Sequence, residues 1–152
     1  MAVNHIPDGY HSITPYLILS DATRGLEFYQ KAFGAVEVLR LCDPTGKVSH
    51  AEIRIGDSVI MLADEFPEID APSPTTLKGT PVSFMIYVED VDLQFDRAIQ
   101  AGGIVRRPVT DQFYGDRNGI LVDPFGHVWT LSTHKEDLTP DEIKERARAL
   151  GN

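Results

Sequence analysis

The sequence LILSD at residues 17–21 has a counterpart 69 residues later, IYVED at residues 86–90, and each opens an amphipathic segment that ends at a glycine, Gly34 or Gly103. The same offset holds to the end of each half, where DSVIML at 57–62 aligns with GHVWTL at 126–131. A fixed offset between similar segments is the signature of a repeated structural unit. The repeat predicts two equivalent modules whose matching positions face one another across a cleft.

The composition limits the classes of function. The chain has 152 residues, of which 42% are hydrophobic and 24% charged, as expected for one compact globular domain. Its net charge of −9 disfavours a nucleic-acid partner, because such binding needs Lys and Arg to neutralise phosphates. The apolar runs are too short to span a bilayer, and the first twelve residues lack an apolar signal core. With Cys42 as its single cysteine, the chain is expected to be cytoplasmic, with no membrane partner.

The first module, residues 12–63, is predicted to have the element order β-α-β-β-β. A helix over 22–33 is expected to begin at the N-cap residue Asp21 and to end at Gly34. Two strands joined by the tight turn Gly56-Asp57 are expected to form a hairpin. The four predicted strands cover residues 11–19, 36–41, 48–55 and 58–63.

Residues 64–80 are rich in proline and acidic residues, a composition typical of a linker. The second module, residues 81–133, repeats the element order of the first. Residues 134–152 form a tail, in which Thr139 and Glu142 have the spacing of a helical capping box. The predicted elements of the second module are strand 82–88, a helix from Asp90 to Ala101, and strands near 104–109, 119–122 and 127–133.

Paired modules of this kind resemble the vicinal oxygen chelate superfamily, which includes glyoxalase I, extradiol dioxygenases, and fosfomycin and bleomycin resistance proteins. LEFYQKAFG at 26–34 resembles the first-helix signature of this superfamily, and DPFG at 123–126 resembles its second-module turn. GDR at 115–117, DPFGH at 123–127, Trp129 and TH at 133–134 are similar to the PhnB-like branch. The resemblance covers about residues 12–133.

This resemblance implies an α+β fold in which two βαβββ modules form an open, mixed β-sheet barrel with a cleft and flanking helices. It also implies a homodimer, since members of the superfamily often complete their clefts across a two-fold axis. Whether the modules pair within one chain or across two chains stays open at this point.

In the metal-dependent members of the superfamily, side chains on the first and last strands of each module hold the ion, commonly through His and Glu. The matching positions in this chain are Thr14, Met61, Ser83 and Thr130. Hydroxyl and thioether groups are poor ligands for the divalent ions that imidazole and carboxylate groups bind. We therefore expect no metal, no cofactor and no catalytic residue at these positions.

Strand alternation predicts which side chains share the cleft. The hairpin turn should place Arg54 opposite Val59 and Glu52 opposite Met61, so that His50, Glu52 and Arg54 point toward the cleft. Together with two tyrosines on an apolar wall, this row suits an organic ligand that has some polar groups. The predicted ligand-binding residues are Thr14, Tyr16, His50, Glu52, Arg54, Met61, Ser83, Met85, Tyr87 and Thr130.

Three functions are compatible with these residues. The favoured one is a metal-free protein that holds a hydrophobic or amphipathic small molecule in the cleft. A metal-dependent lyase or dioxygenase would need a relocated site, for example with His50 and Glu52 as ligands or with Glu52 as general base. A partner-binding regulatory protein would dock another chain in the cleft or on the C-terminal helix. We expect His134 to lie past the last strand and Arg117 to lie in a loop.

Overall fold

The chain forms two compact units, and the structure, a computed structural model, describes residues 3–151. One unit comprises the residues up to Thr80 together with Pro124–Gly126. The other comprises Pro81–Asp123 together with the residues from His127 onward. Each unit contains one four-stranded mixed sheet with helices, which confirms the predicted α+β class.

In the first unit a helix connects the first two strands of the sheet. The elements are β1 (Tyr16–Leu19), α1 (Ala22–Phe33), β2 (Val36–Cys42), β3 (Val48–Ile55) and β4 (Ser58–Asp64). The strands lie in the order β1-β4-β3-β2, with β1 parallel to β4 and the other neighbours antiparallel. Asp21 caps α1 through a hydrogen bond from the backbone N–H of Arg24, and Gly34 ends the helix at a φ of 67°.

The second unit has the same topology. Its elements are β5 (Ser83–Tyr87), α3 (Val91–Gln100), β6 (Ile104–Asp111), β7 (Asp116–Val122) and β8 (Val128–His134), and its strand order is β5-β8-β7-β6. The C-terminal helix α4 (Pro140–Ala149) begins with the predicted capping box, in which Thr139 and Glu142 bond each other's backbone N–H. A short helix of the first unit, α2 (Pro74–Leu77), precedes these elements in the chain.

The 69-residue repeat extends to individual hydrogen bonds. In the first unit, the N–H of Ala22 donates to Asp64 Oδ1 at 2.7 Å. At the equivalent positions of the second unit, the N–H of Val91 donates to Thr133 Oγ1 at 2.9 Å. In both units the last strand therefore supplies a side-chain acceptor for a backbone N–H that the helix itself leaves unsatisfied.

One face of each sheet packs against its helix. On the first sheet Ala51, Ile53 and Leu62 are buried on the α1 side. On the second sheet Gly119 lies so close to α3 that an added Cβ would stand 2.8 Å from the Phe95 ring. Because successive strand residues point to opposite faces, the alternate residues of each sheet lie on the face away from the helix, called here the distal face.

The first strand is shorter than the sequence predicts. A strand was expected over 11–19, but β1 begins at Tyr16. Pro15 has no N–H to donate, and only its carbonyl joins the ladder, accepting from the N–H of Met61 at 2.9 Å. The β-branched residues before Pro15, Ile13 and Thr14, therefore do not extend the strand.

The third strand of the second module is longer than predicted, and the expected positions of Arg117 and His134 are both wrong. β7 begins at Asp116 instead of near residue 119, so Arg117 lies within a strand. His134 pairs with Asp116 and is the last residue of β8. The flanking glycines of this stretch are typical of a loop, but Gly119 is required by the close approach of Phe95.

The segment predicted as a linker contains short elements. Its first residue, Asp64, ends β4, and Pro67–Ile69 forms one turn of 3₁₀ helix. Ser73 caps α2 with Pro74 in the first turn, which is a typical helix-start signal. Among residues 3–151, no helix is long and apolar enough to cross a membrane.

Candidate functional site

The distal face of the first sheet carries a chain of hydrogen-bonded side chains. Tyr16 Oη lies 2.9 Å from His50 Nδ1, and His50 Nε2 lies 3.1 Å from Glu52 Oε1. The second carboxylate oxygen of Glu52 accepts a hydrogen bond from the hydroxyl of Tyr10. All three contacts are satisfied when the Tyr16 hydroxyl donates to Nδ1 and the imidazole Nε2–H donates to Glu52. The network fixes both the ring of His50 and the carboxylate of Glu52.

Hydrogen bonding keeps Glu52 ionised. The Tyr10 hydroxyl, and then the His50 imidazole, lower the pKa of Glu52 below its usual range, and these bonds outweigh the opposing effect of desolvation. The same contact with Glu52 raises the pKa of Tyr10. The pair therefore consists of a neutral phenol that donates and a carboxylate that accepts.

A pocket lies beside this network. Its volume is about 420 Å³, and it is lined on one side by residues of the segment His5–Ser12 and on the other by Thr14, Glu52 and Met61. Ile6, Pro7 and Met61 supply apolar surface, while Glu52 supplies the charge. The segment His5–Ser12, called here the N-terminal strap, lies before the aligned segments of the repeat, which begin at Leu17, so the repeat contains no signal for its role.

The distal face of the second sheet carries a different network, centred on the buried Asp116. Its Oδ2 accepts from the hydroxyls of Tyr87 at 3.1 Å and Ser132 at 3.2 Å, and its Oδ1 lies 2.7 Å from His134 Nδ1. His134 Nε2 lies 2.9 Å from Asp137 Oδ1. The bonds to Asp116 and then to Asp137 raise the pKa of His134. Desolvation, and then the bond to Asp116, raise the pKa of Tyr87.

A second set of polar residues occupies the same face. Asn118 is fully buried, donates from Nδ2 to Tyr114 Oη at 2.8 Å, and accepts at Oδ1 from Arg107 Nη2. Asn118 pairs with Ser132 across β7 and β8, which places this set beside the Asp116 network. Neither Asp116, Asn118 nor Arg107 was predicted as a site residue.

The strand pairing shows how the predicted ligand-binding residues are distributed. The expected pairs of Glu52 with Met61 and Arg54 with Val59 are confirmed. Five predicted residues of the first unit lie at the Tyr16–His50–Glu52 network or the adjacent pocket: Thr14, Tyr16, His50, Glu52 and Met61. Arg54 is exposed and lies outside both features.

In the second unit, Met85 pairs with Thr130, and Thr130 with Ile120, in one row across the sheet. Tyr87 belongs to the Asp116 network, and Ser83 is exposed opposite Val128. Of the ten predicted residues, six therefore lie in a hydrogen-bond network or in the pocket, and the other four lie outside them: Arg54, Ser83, Met85 and Thr130.

Other residues considered in the sequence have structural contacts. Arg117 forms ion pairs with Asp92 at 2.8 Å and with Asp111 at 3.1 Å. Trp129 is buried and donates from Nε1 to Asp123 Oδ2 at 2.9 Å, so it lies on the face of the sheet opposite to Thr130. Its ring lies 5.0 Å from that of Phe84.

The residues at the four superfamily metal positions do not fit a metal ion. Thr14, Ser83 and Thr130 offer neutral hydroxyls and Met61 a thioether, which are weak ligands for divalent ions. Within residues 3–151, no three His, Cys, Asp or Glu side chains are grouped so that they would hold a metal. No chemical step is assigned to a metal in this chain.

Comparison with known proteins identifies the family. Residues 4–131 match the model of the Glyoxalase/Bleomycin resistance protein/Dioxygenase superfamily. The chain therefore belongs to this superfamily. It is 40% identical over 155 aligned positions to Mb0911c of Mycobacterium bovis, covering 100% of this chain and 99% of the relative. It has the same identity over the same length with Rv0887c of Mycobacterium tuberculosis, covering 100% of this chain and 89% of that relative.

Solved structures share the fold. TioX from Micromonospora sp. ML1 aligns with a TM-score of 0.62 and 24% identity over 85% of this chain and 100% of that chain. Protein PA1353 from Pseudomonas aeruginosa aligns with a TM-score of 0.67 and 22% identity over 83% and 99%. The fosfomycin resistance protein FosX from Listeria monocytogenes aligns with a TM-score of 0.62 and 18% identity over 88% and 97%. At these identities the likeness concerns the fold alone.

Proposed function

We propose that the protein binds a small organic molecule, without a metal ion, in the pocket beneath the N-terminal strap. The observation that carries this proposal is the pocket of about 420 Å³ with an ionised, doubly hydrogen-bonded Glu52 in its wall. Ligand pockets in proteins have volumes of roughly 300–1,000 Å³ and combine apolar walls with a few fixed polar groups. The pocket has both properties.

The charge of the pocket selects the class of ligand. Glu52 is anionic at neutral pH, and the hydrogen bonds from Tyr10 and His50 lower its pKa further. A cation or a strong hydrogen-bond donor beside it gains a charge-assisted contact, and the apolar body of the ligand covers Ile6, Pro7 and Met61. The preferred ligand is therefore an amphipathic, positively charged molecule with an aromatic or aliphatic body.

A fluorescence titration tests this preference. Berberine is a planar aromatic cation whose emission rises in apolar surroundings, and we expect it to bind saturably at one site per chain. Anilinonaphthalene sulfonate, an aromatic anion, should bind far more weakly. The substitution Glu52→Gln keeps the shape of the side chain but removes its charge, and should weaken berberine binding by about tenfold or more.

The matched control is Glu68→Gln, which changes the net charge equally at an exposed residue of the same unit. We expect this variant to bind berberine as the wild type does. Equal weakening in the two variants would show that only the overall charge matters, and would refute the role of Glu52.

The metal-free part of the proposal rests on the weak donors at Thr14, Met61, Ser83 and Thr130. Elemental analysis of protein purified without a metal-binding tag tests it. The expected metal content is well below one ion per chain. Stoichiometric nickel, zinc, manganese or iron that disappears in Glu52→Ala would instead favour a lyase or dioxygenase with a relocated site.

We also propose that the protein is a homodimer of the PhnB-like branch that acts in the cytoplasm. The exposed apolar side chains of the edge strand β2, including Val36, Val38 and Leu41, support association because such edges are usually covered. The motifs GDR at 115–117 and DPFGH at 123–127 support the assignment to this branch. Light scattering after size-exclusion chromatography should give twice the mass of one chain.

A further inference from the structure

Arg107, on the second sheet, is a cation without an anionic partner. Within the part of the chain that the structure describes, its side chain donates from Nη2 to Asn118 Oδ1, and its buried Nε has no hydrogen-bond partner. No ion pair among residues 3–151 includes Arg107. The terminal nitrogens Nη1 and Nη2 carry further N–H groups, and no carboxylate of the described residues receives them, so a guanidinium held in this state requires an explanation.

The guanidinium is held in place by its neighbours. Asn118 is fully buried, and its Nδ2 donates to Tyr114 Oη at 2.8 Å. This bond orients the amide so that Oδ1 faces Arg107 and accepts from Nη2. The hydrogen bonds from Arg107 to Asn118 and from Asn118 to Tyr114 thus hold the guanidinium in one position before a ligand binds. This lowers the entropy cost of ordering the side chain on binding.

The nearby carboxylate of Asp116 does not neutralise Arg107. Its two oxygens accept hydrogen bonds from Tyr87, Ser132 and His134. The bond between His134 and Asp116 raises the pKa of His134, so Asp116 has a partner for its charge in the protonated form of that imidazole. The positive charge of Arg107 is therefore available to pair with an anionic ligand.

The surroundings of Arg107 are partly apolar. Arg107 pairs with Ile120 across β6 and β7, Ile120 pairs with Thr130, and Thr130 pairs with Met85. Residues directly opposite on paired strands share a face of the sheet. Arg107 is therefore the first residue of a row that contains Ile120 and the half-exposed Met85, and its guanidinium lies at Asn118, beside that row.

We propose that Arg107 binds the carboxylate of a small apolar monocarboxylic acid. The two terminal nitrogens of the guanidinium receive the carboxylate, as planar guanidinium groups do in charge-assisted pairs. The apolar body of the acid lies along Ile120 and Met85. This site shares no residue with the pocket of the first unit, and its existence does not depend on ligand binding there.

Titration of the ¹⁵N-labelled protein with benzoate, followed by two-dimensional ¹H–¹⁵N NMR, tests the proposal on the wild type. We expect saturable shifts of the Asn118 side-chain amide and of the Tyr114 backbone amide. Benzamide, which has the same shape without the charge, should bind about tenfold or more weakly. Absence of saturable shifts with benzoate would overturn the proposal, and so would tighter binding of inorganic phosphate than of benzoate.

Two substitutions test the assignment to this residue. Arg107→Gln should abolish the benzoate shifts, and Arg107→Lys should weaken binding because Lys lacks the planar fork. Arg106→Gln, at the exposed neighbouring residue, is the matched control and should bind benzoate normally. Equal benzoate binding in Arg107→Gln and the wild type would refute the site.

The two proposals of ligand binding can fail separately. Glu52→Gln should leave the binding of benzoate unchanged, and Arg107→Gln should leave the binding of berberine unchanged. A thermal melt of each variant shows whether it is folded, and the wild-type titration gives its answer without any variant.

Discussion

Glu52 and His134 are ionisable residues whose pKa values are set mainly by hydrogen bonds. Glu52 accepts from Tyr10 and is bonded to His50, and its pKa is lowered. His134 lies between the carboxylates of Asp116 and Asp137, and its pKa is raised. The opposite directions of the two shifts give opposite dependences of stability on pH.

Removal of the Tyr10 hydroxyl should raise the pKa of Glu52. In Tyr10→Phe the carboxylate loses the hydrogen bond that contributes most to its lowered pKa. A ¹³C NMR titration of the Glu52 carboxyl carbon measures the change. Tyr16→Phe is the control, because Tyr16 bonds His50 and does not contact Glu52 directly, so its effect should be smaller. An unchanged Glu52 pKa in Tyr10→Phe would contradict this network.

His134 should stabilise the protein more at acidic than at alkaline pH. Its pKa in the folded protein is raised above the usual value of 6.5, so folding favours the protonated ring. The contribution is fully present below pH 6.5 and is lost as the pH rises through the raised pKa. The difference in the free energy of unfolding between wild type and His134→Gln, from urea melts at several pH values, should therefore shrink with rising pH. If this difference in the free energy of unfolding instead grew with pH, the raised pKa of His134 in the folded protein would be contradicted.

At the scale of elements, α1 and α3 are each fixed to their sheet by a side chain of the last strand of that sheet. Asp64 does this in the first unit by accepting from the N–H of Ala22 and from the N–H of Val48, at 2.7 Å each. Thr133 occupies the equivalent position in the second unit, accepts from the N–H of Val91, and donates to the carbonyl of Val88. The acidic residue of the first unit thus joins three elements, α1, β3 and β4.

Asp64→Ala should destabilise the protein by about 2–4 kcal/mol, because two backbone N–H groups lose a charged acceptor in a buried position. Thr133→Ala removes a neutral acceptor from one N–H group and should cost about 1–2 kcal/mol. Urea denaturation monitored by circular dichroism measures both values. A smaller loss for Asp64→Ala than for Thr133→Ala would contradict the assigned role of the carboxylate.

At the scale of the whole molecule, the sequence predicts the features that follow from the 69-residue repeat and from the hairpin turn. The fixed offset identifies both sheets, and the Gly56-Asp57 turn sets the register that places Glu52 opposite Met61. The N-terminal strap lies outside the repeat, so periodicity gives no indication that Tyr10 bonds Glu52. A strand alternation rule also fails where the strand is irregular. The register of β6 shifts on both sides of Arg107, so the alternation of side chains along the strand does not predict on which face of the sheet Arg107 lies.

The stretch around Asp116 was predicted to be a loop, but it contains the beginning of β7. Gly115 does lie in the turn before β7, at a φ of 95°, whereas Gly119 lies within β7; both glycines also have close contacts that are distant in sequence. A Cβ at Gly115 would stand 2.6 Å from the carbonyl oxygen of Glu136, and one at Gly119 would stand 2.8 Å from the Phe95 ring. Such tertiary causes of glycine usage cannot be read from neighbouring residues.

The central claim is that the pocket under the N-terminal strap binds a cationic amphipathic molecule without a metal ion. Its most direct test is the dissociation constant of berberine, measured by equilibrium dialysis after removal of metals with a chelator and again after addition of zinc or manganese. We predict one saturable site per chain with the same dissociation constant in all three conditions. Binding that vanishes in the chelator and returns with the metal would contradict the claim.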